Sequence, residues 1–463
     1  MKARGVAADV LRDHVGAIRA ELGLPDTFSA GVEQAALTAA RRPIGPEHVD
    51  RTDVEFVTLD PPESTDLDQA FTIERGSGDD LLLRYAIADV GWFVRPGDPV
   101  DAEAWQRGVT VYLPDGKVPL YPAVLSEQAA SLLPGGPRPA VVFMVRVGAG
   151  GEASLDGVER AVVRSRAKLA YETVTLGELP DGFDELARRM KLAEDRRGAG
   201  RVEFPEQEVE PAGDDGYRLV LRPRLWSEES NAAMSLATNM AVADALHSAA
   251  TGLYRVMEAP SERSVRALRL TAQAVGLEWP AAQSLEVFER SLTTSDPRAA
   301  AFLLAVRRAG GAASYEPYRA GAEPWHAAMA ARYAHATAPL RRLADRYVVE
   351  AALAVASGAS PADEVEEAFT RLPAAMADGE RLANRAERMA LDLVEALVLH
   401  GREGEQFEAV VVDEAGEGVQ IQLRDLAVLA RVAARRVNPG DDLTVRLVEA
   451  DPTRRLVRFE RLA

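Results

Sequence analysis

Three aspartates and a glutamate crowd the segment Asp60-Pro61-Pro62-Glu63-Ser64-Thr65-Asp66-Leu67-Asp68, directly after the apolar run Val54–Leu59. A proline pair cannot donate to a sheet ladder, so Asp60 is predicted at a strand end with a loop beyond it. Asp66 and Asp68 are two apart and point to the same side of an extended chain. Carboxylates this close repel unless a cation sits among them, and hard oxygen donors of this kind suit Mg²⁺ or Mn²⁺. The plain alternative is a solvated acidic turn, and spacing alone does not separate the two.

The elements that must position this loop are strands before and after it. Val54–Leu59, Ala70–Arg75, Leu81–Ala88 and Ala140–Val147 read as strands, with Arg75-Gly76-Ser77-Gly78-Asp79-Asp80 a turn between two of them. Residues 155–171 read as a strand running into a helix start, 225–251 and 337–357 as helices with apolar faces, and 361–400 as a helical pair broken near Pro373. Residues 1–50 read as helices: Val6, Val10, Leu11, Val15, Ile18 and Leu22 recur at near-helical spacing, and Ser29 can cap a second helix through Arg41. From Gly404 onward five short strand-like runs alternate with Gly, Asn, Pro and Asp, which suits a five-stranded OB barrel. Arg431, Arg435 and Arg436, with Arg454, Arg455, Arg458 and Arg461, could track phosphates there; the alternative is a solvated charged face. The fold class is therefore α+β in three parts: a helical N-terminal module over 1–50 (helix-turn-helix-like, or a packing arm), a large mixed-sheet domain with surrounding helices over 51–402, and the OB barrel over 403–463.

Composition narrows the function classes. The absence of cysteine excludes disulfides and thiolate zinc sites and is compatible with a cytoplasmic protein. No apolar run is long enough to span a bilayer, and the first residues lack a signal-peptide core, so no membrane role is expected. A formal charge of −18 argues against indiscriminate surface binding of nucleic acid, but leaves room for a local basic channel.

Other blocks follow the acidic loop in order: Tyr85-Ala86-Ile87-Ala88-Asp89-Val90, Asp101-Ala102-Glu103-Ala104, Arg107-Gly108-Val109-Thr110-Val111-Tyr112-Leu113-Pro114, Val118-Pro119-Leu120-Tyr121-Pro122, Leu125-Ser126, Ser131-Leu132-Leu133, and far downstream Tyr333-Ala334-His335-Ala336-Thr337-Ala338-Pro339-Leu340-Arg341-Arg342-Leu343-Ala344-Asp345. This ordered set resembles the catalytic (RNB) domain of the ribonuclease II / ribonuclease R family of exoribonucleases. Residues 404–463 resemble, more weakly, an S1 RNA-binding domain. Many family members carry two cold-shock-type barrels ahead of the catalytic domain; residues 1–50 are too short and too helical for that.

The resemblance implies a metal-dependent 3′→5′ exoribonuclease that converts single-stranded RNA to nucleoside 5′-monophosphates and a short end product, working as a monomer with no obligate protein partner. Asp60, Asp66 and Asp68 match the family's metal-binding aspartates, whereas Gln69 stands where a fourth aspartate is usual and offers only one neutral oxygen. Arg341 matches an arginine acting on the scissile phosphate, in a helix first turn capped by Thr337 and opened by Pro339; Arg342 would contact a neighbouring phosphate or pair with Asp345. Tyr112 and Phe204 match base-clamping aromatics, and Tyr171 a tyrosine at the 3′-terminal nucleotide, although core packing is the commoner use of such rings. Glu228 or Glu229 would accept from the 2′-hydroxyl and favour RNA over DNA, the sequence not choosing between them, and Glu387 matches a late glutamate near the site. Two other outcomes stay open: an RNA-binding protein whose metal site fails at Gln69, and a single-strand nuclease not restricted to RNA.

Overall fold

The central strands, buried along much of their length, close into a barrel. The computed structural model describes residues 8–462 apart from 26, 200–205, 212–216, 223, 294–295 and 416–417. Two helices, α1 (Ala8–Leu22) and α2 (Ala30–Ala40), lead into β1 (Val49–Asp60), β2 (Gln69–Arg75) and β3 (Leu81–Ala88). A single helical turn α3 (Val90–Phe93), helix α4 (Pro99–Arg107), a hairpin of β4 (Val111–Leu113) and β5 (Gly116–Val118), and a π-helical turn over Leu125–Ala129 precede β6 (Arg138–Val147) and β7 (Ala153–Ala170). The barrel order is β1-β2-β3-β6-β7. Its neighbours are antiparallel except β7 with β1, which run parallel and close it. The mixed sheet expected from sequence is thus closed, which removes its edges. The predicted strand-then-helix over 155–171 is instead one strand of 18 residues.

Next come α5 (Phe183–Arg197), the hairpin β8 (Glu206–Pro211) and β9 (Tyr217–Arg222), α6 (Trp226–Ser248) and β10 (Leu253–Val256). Helix α6 packs on β7 and α5 and buries small residues around much of its circumference. Three helices then form a satellite unit: α7 (Glu262–Ala274), α8 (Leu285–Arg290) and α9 (Pro297–Ala309). They have an apolar core of their own, with Trp279 stacked on Phe288 at 5.0 Å between centroids. Strand β11 (Ser314–Pro317), α10 (Leu343–Ala356) and α11 (Asp363–Leu399) complete the main body.

Helix α11 is continuous for 37 residues with Pro373 inside it, not the broken pair expected. Proline costs a helix interior roughly 3 kcal/mol. Here Phe369, Leu372 and Met376, on both sides of Pro373, are buried in the main core, and that burial holds the helix together. The C-terminal sheet, β12 (Gln406–Ala415), β13 (Gly418–Leu423), β14 (Leu429–Val432), β15 (Asp442–Asp451) and β16 (Leu456–Arg461), has the order β14-β13-β12-β15-β16 with all neighbours antiparallel. Its edge strands β14 and β16 approach each other, so the sheet is nearly closed, as an OB barrel requires. Arg308 of α9 grips the Asp413 carboxylate of β12, one bond being Nη2 to Oδ1 at 2.7 Å, and ties the satellite unit to this sheet.

The N-terminal helices part company. Leu11, Val15 and Ile18 of α1 join a core shared by α11, the β4–β5 hairpin and the C-terminal sheet, whereas Val32, Ala36 and Ala39 of α2 join the barrel core. Of the two readings offered for 1–50, they follow the packing arm, each on a different core.

One close approach links α11 to the segment before β4. A Cβ on Gly379 would lie 2.9 Å from the Arg107 carbonyl oxygen and 3.3 Å from the Gly108 Cα. Gly108 itself sits at φ +71°, where side chains are strained. Gly379→Ala should therefore lower stability by about 1–3 kcal/mol, the usual cost of overpacking. Differential scanning calorimetry reads this directly, and an unchanged midpoint would mean that the two segments can separate without cost.

Candidate active site

The acidic loop is pinned from below. Leu67, wholly buried between Asp66 and Asp68, donates its N–H to the Ser131 hydroxyl oxygen at 2.9 Å, and its carbonyl accepts from Leu132 N–H at 3.0 Å. The Ser131 hydroxyl in turn donates to the Thr65 carbonyl at 2.7 Å. With Leu67 turned into the core, the flanking Asp66 and Asp68 are turned out of it, the alternation an extended chain imposes. Asp60, at the end of β1, stands in register with Ala170 of β7, and its carbonyl accepts from Tyr171 N–H at 3.3 Å. Parallel pairing of β1 with β7 thus sets Asp60 and Tyr171 side by side.

These residues line a cavity of about 650 Å³ together with Gln69, Tyr112, Arg222, Arg224, Glu228, Asn231, Ser235, Arg341 and Arg342. The distant segment arrives through Asp68: Leu340 N–H donates to Asp68 Oδ1 at 2.7 Å, and Arg341 Nε lies 3.4 Å from Asp68 Oδ2. The Arg341 side chain keeps 45% of its surface exposed, so it can still meet an anion. Arg341 is not in a helix first turn. Helix α10 starts at Leu343, because Thr110 N–H donates to the Arg341 carbonyl and Arg342 pairs as a β-bridge with Val109. Thr337 caps no helix; its hydroxyl and carbonyl are used by Asn239 and Gln69. Arg342 grips Asp345 with two bonds, at 2.9 and 2.7 Å, while Asp345 also accepts from Ala338 N–H at 2.8 Å. Of the two sequence readings for Arg342, the structure has the carboxylate pairing, which folds the turn that presents Arg341.

Gln69 is spoken for. Its Nε2 donates to the Thr337 carbonyl at 2.7 Å, which can only accept and so fixes the amide's orientation. Its Oε1 accepts from the Tyr85 hydroxyl, with the Ser235 hydroxyl at 3.3 Å. The oxygen expected to serve as a weak metal ligand is therefore committed inside the protein. Its role here is to join β2, β3, α6 and the 337 segment.

Other side chains had no motif to announce them. Lys117 of β5 lies 2.8 Å from Asp66 Oδ1 and 3.0 Å from Glu127 Oε1. Asn231 donates to the Tyr171 hydroxyl at 2.8 Å. Arg222 makes two 2.8 Å bonds to Glu228 Oε1, whose other oxygen accepts from Leu225 N–H at the start of α6. Only pairing registers, invisible in one dimension, bring these residues in. Glu228 and Glu229 are separated outright: Glu228 lines the cavity, whereas Glu229 lines a different hollow with Lys191 and Arg290. Tyr112, 52% exposed, presents its ring at the cavity. Glu387 lies exposed on α11 and is not among the cavity-lining residues, nor are Arg435 and Arg436, which are exposed on the loop after β14. Phe204 lies outside the described residues.

With this geometry in view, comparison with known proteins is decisive about kinship. The sequence profile of the RNB domain matches residues 48–356, and that of the RNase II-type exonuclease C-terminal S1 domain matches 405–462. The chain belongs to the RNB-domain family. Ribonuclease R of Aquifex aeolicus is 27% identical over 87% of this chain and 63% of its own length. Exoribonuclease 2 of Cronobacter sakazakii is 29% identical over 83% and 62%. The chain thus spans under two thirds of the length of these curated relatives. Among solved structures, the apo form of Mycoplasma genitalium RNase R shares the fold at TM-score 0.85 and 19% identity, over 98% of this chain and 78% of that one. Yeast Ssd1, a pseudonuclease, shares it at TM-score 0.69 and 17% identity, over 87% and 53%.

In this RNB site, burial and then repulsion from Asp68 push the Asp60 carboxyl up to about 7, against the pull of Arg341. Burial also pushes Asp68 up to about 7, against Arg341 and the Leu340 N–H. Among the described residues no three acidic or histidine side chains form a ready-made metal shell. The donor set nevertheless fits a divalent cation: two hard carboxylates buried together, whose mutual repulsion such an ion relieves. A carboxyl raised from an unfolded value of roughly 4 to about 7 binds more protons folded than unfolded. Its stabilising share is complete below the unfolded value and is lost as pH rises through 7. In EDTA, the thermal midpoint should therefore fall between pH 5.5 and 8. Asp60→Asn should flatten that slope, and an unchanged slope would show that Asp60 titrates normally.

Proposed function

We propose that this protein is a metal-assisted 3′→5′ exoribonuclease acting on single-stranded RNA, releasing nucleoside 5′-monophosphates and stopping at a short oligonucleotide. The observation that carries the reading is the convergence of Asp60, Asp66 and Asp68 with Arg341 and two tyrosines around one cavity, from segments about 270 residues apart. The names of the relatives, Ribonuclease R and Exoribonuclease 2, support the same reaction class. The chain would work as a monomer in the cytoplasm.

Asp60 and Asp68, with Asp66, would hold Mg²⁺ or Mn²⁺. Such an ion supplies an activated water and a positive charge for the phosphoryl oxygens when bound. Arg341, half-exposed and steered by Asp68, would take the scissile phosphate and stabilise the charge that grows on it. Arg342 is unsuited to a second phosphate while it holds Asp345, and it instead keeps the turn rigid. The exposed Tyr112 ring offers a stacking platform for a base, worth roughly 1–3 kcal/mol whatever the base. The Tyr171 hydroxyl, held by Asn231, would line the terminal nucleotide. Glu228 can still accept from a ribose 2′-hydroxyl at Oε2, since Leu225 N–H takes one lone pair of that oxygen while both Arg222 bonds go to Oε1. A local path past Arg222, Arg224 and Arg341 lets a chain of charge −18 take a polyanion.

The commitment of the Gln69 oxygen favours a second reading, an RNA-binding protein that does not cleave. A time course on a 5′-labelled single-stranded RNA separates them. The nuclease shortens it from the 3′ end with Mg²⁺ or Mn²⁺ but not with EDTA, and Asp68→Asn slows the reaction by about a hundredfold or more. Arg341→Lys should lose most of the rate too, since an ammonium cannot reproduce the fork of a guanidinium. Tight binding without shortening under any metal would establish the second reading. A 2′-deoxy substrate of the same sequence cut equally well would remove the restriction to RNA.

A further inference from the structure

Lys117 has a place in this site that the catalytic roles above leave unused. Its ammonium bridges Asp66 at 2.8 Å and Glu127 at 3.0 Å, with only 20% of its side chain exposed. It stands in register with Tyr112 across the β4–β5 hairpin, so the pairing that sets that ring also sets Lys117 against Asp66. The hairpin is anchored behind: Val111, Leu113 and Val118 are buried with α1 and α11, and Asp115 at its turn accepts from Arg19 of α1 at 2.9 Å. Glu127 comes from the π-helical turn Leu125–Ala129, a local widening that recurs at functional positions. The side chains of Asp60, Asp66, Asp68 and Gln69 are thus unequally free. Gln69 is bound by Tyr85, Ser235 and Thr337, and Asp66 already has a cation. The charged partner of Asp68, Arg341, stands farther off at 3.4 Å, so Asp60 and Asp68 are the better placed to hold an ion.

We infer that Lys117 is the built-in second cation of this site: it neutralises Asp66, limits the loop to one divalent ion held chiefly by Asp60 and Asp68, and weakens that ion's binding by competing for Asp66. The inference rests on the metal-assisted reading above. Glu127 is the counterweight, because every share of the ammonium it takes frees Asp66. The two neighbours therefore act in opposite directions on ion affinity.

Binding of Mn²⁺ alone to the full chain, followed by electron paramagnetic resonance of the free ion and by calorimetry, tests this without RNA. The wild type should bind one Mn²⁺ at this site. Lys117→Met should bind it about tenfold more tightly, since one unit of opposing charge is removed a few ångströms away. Glu127→Gln should bind it several-fold more weakly, and Lys117→Arg should stay near wild type. Unchanged or weaker Mn²⁺ binding in Lys117→Met, or tighter binding in Glu127→Gln, overturns the inference. If Lys117→Met does not fold, the sign of the Glu127→Gln effect decides. Asp68→Asn separates the two levels of the argument: if it leaves Mn²⁺ binding intact, the metal-site reading itself fails. If it abolishes binding while Lys117→Met has no effect, only the role of Lys117 falls.

Discussion

Carboxylates packed together out of water are tolerated only if positive charge is brought to them, and the architecture around residues 60–68 is an answer to that constraint. Asp68 is met by the N–H of Leu340 and by Arg341, and Asp66 by Lys117. Each partner comes from a different part of the chain, so the loop reaches its working shape only when the whole domain has assembled. The coupling also runs outward. The turn carrying Arg341 is folded by Asp345 and Arg342, and bridged to residues 108–110, which press on α11 at Gly379. A site that looks like a surface loop in sequence is therefore set by the packing of the longest helix in the described structure.

The same helix joins the barrel body to the C-terminal sheet. Ala386, Ala390 and Leu393 of α11 share a core with Phe407 and Val445 of that sheet, with α1, and with the hairpin that carries Tyr112 and Lys117. The Arg308–Asp413 pair adds a second strap from the satellite helices to β12.

What was legible in the sequence had local causes. The proline pair after Asp60 ended a strand, and Gly and Asp turns marked off the five C-terminal strands, so these elements lie within a few residues of their expected bounds. What was not legible depended on tertiary pairing. Thr337 and Pro339 carry helix-start signals, yet β-type bonding to Val109 and Thr110 delays α10 to Leu343. Pro373 signals a break, yet burial on both sides keeps α11 whole. Lys117 and Asn231 carry no signal, because one needs the register of a hairpin and the other the packing of α6 on β7. Glu228 could be told from Glu229 only once the rotation of α6 was known.

Fold membership alone does not decide whether an RNB chain cuts RNA, since a yeast pseudonuclease shares the architecture. The discriminating evidence is in the side chains. Here the neutral residue at position 69 leaves no hole: its amide spans Thr337 on one side and Tyr85 with Ser235 on the other, all within the frame that holds Asp68 and Arg341. A carboxylate in that place would add a fourth negative charge to a loop already under repulsion, and would need a cation of its own. A glutamine keeps the span and removes the charge. Together with the ammonium of Lys117 on Asp66, this lowers the positive charge that must be brought to the loop from elsewhere.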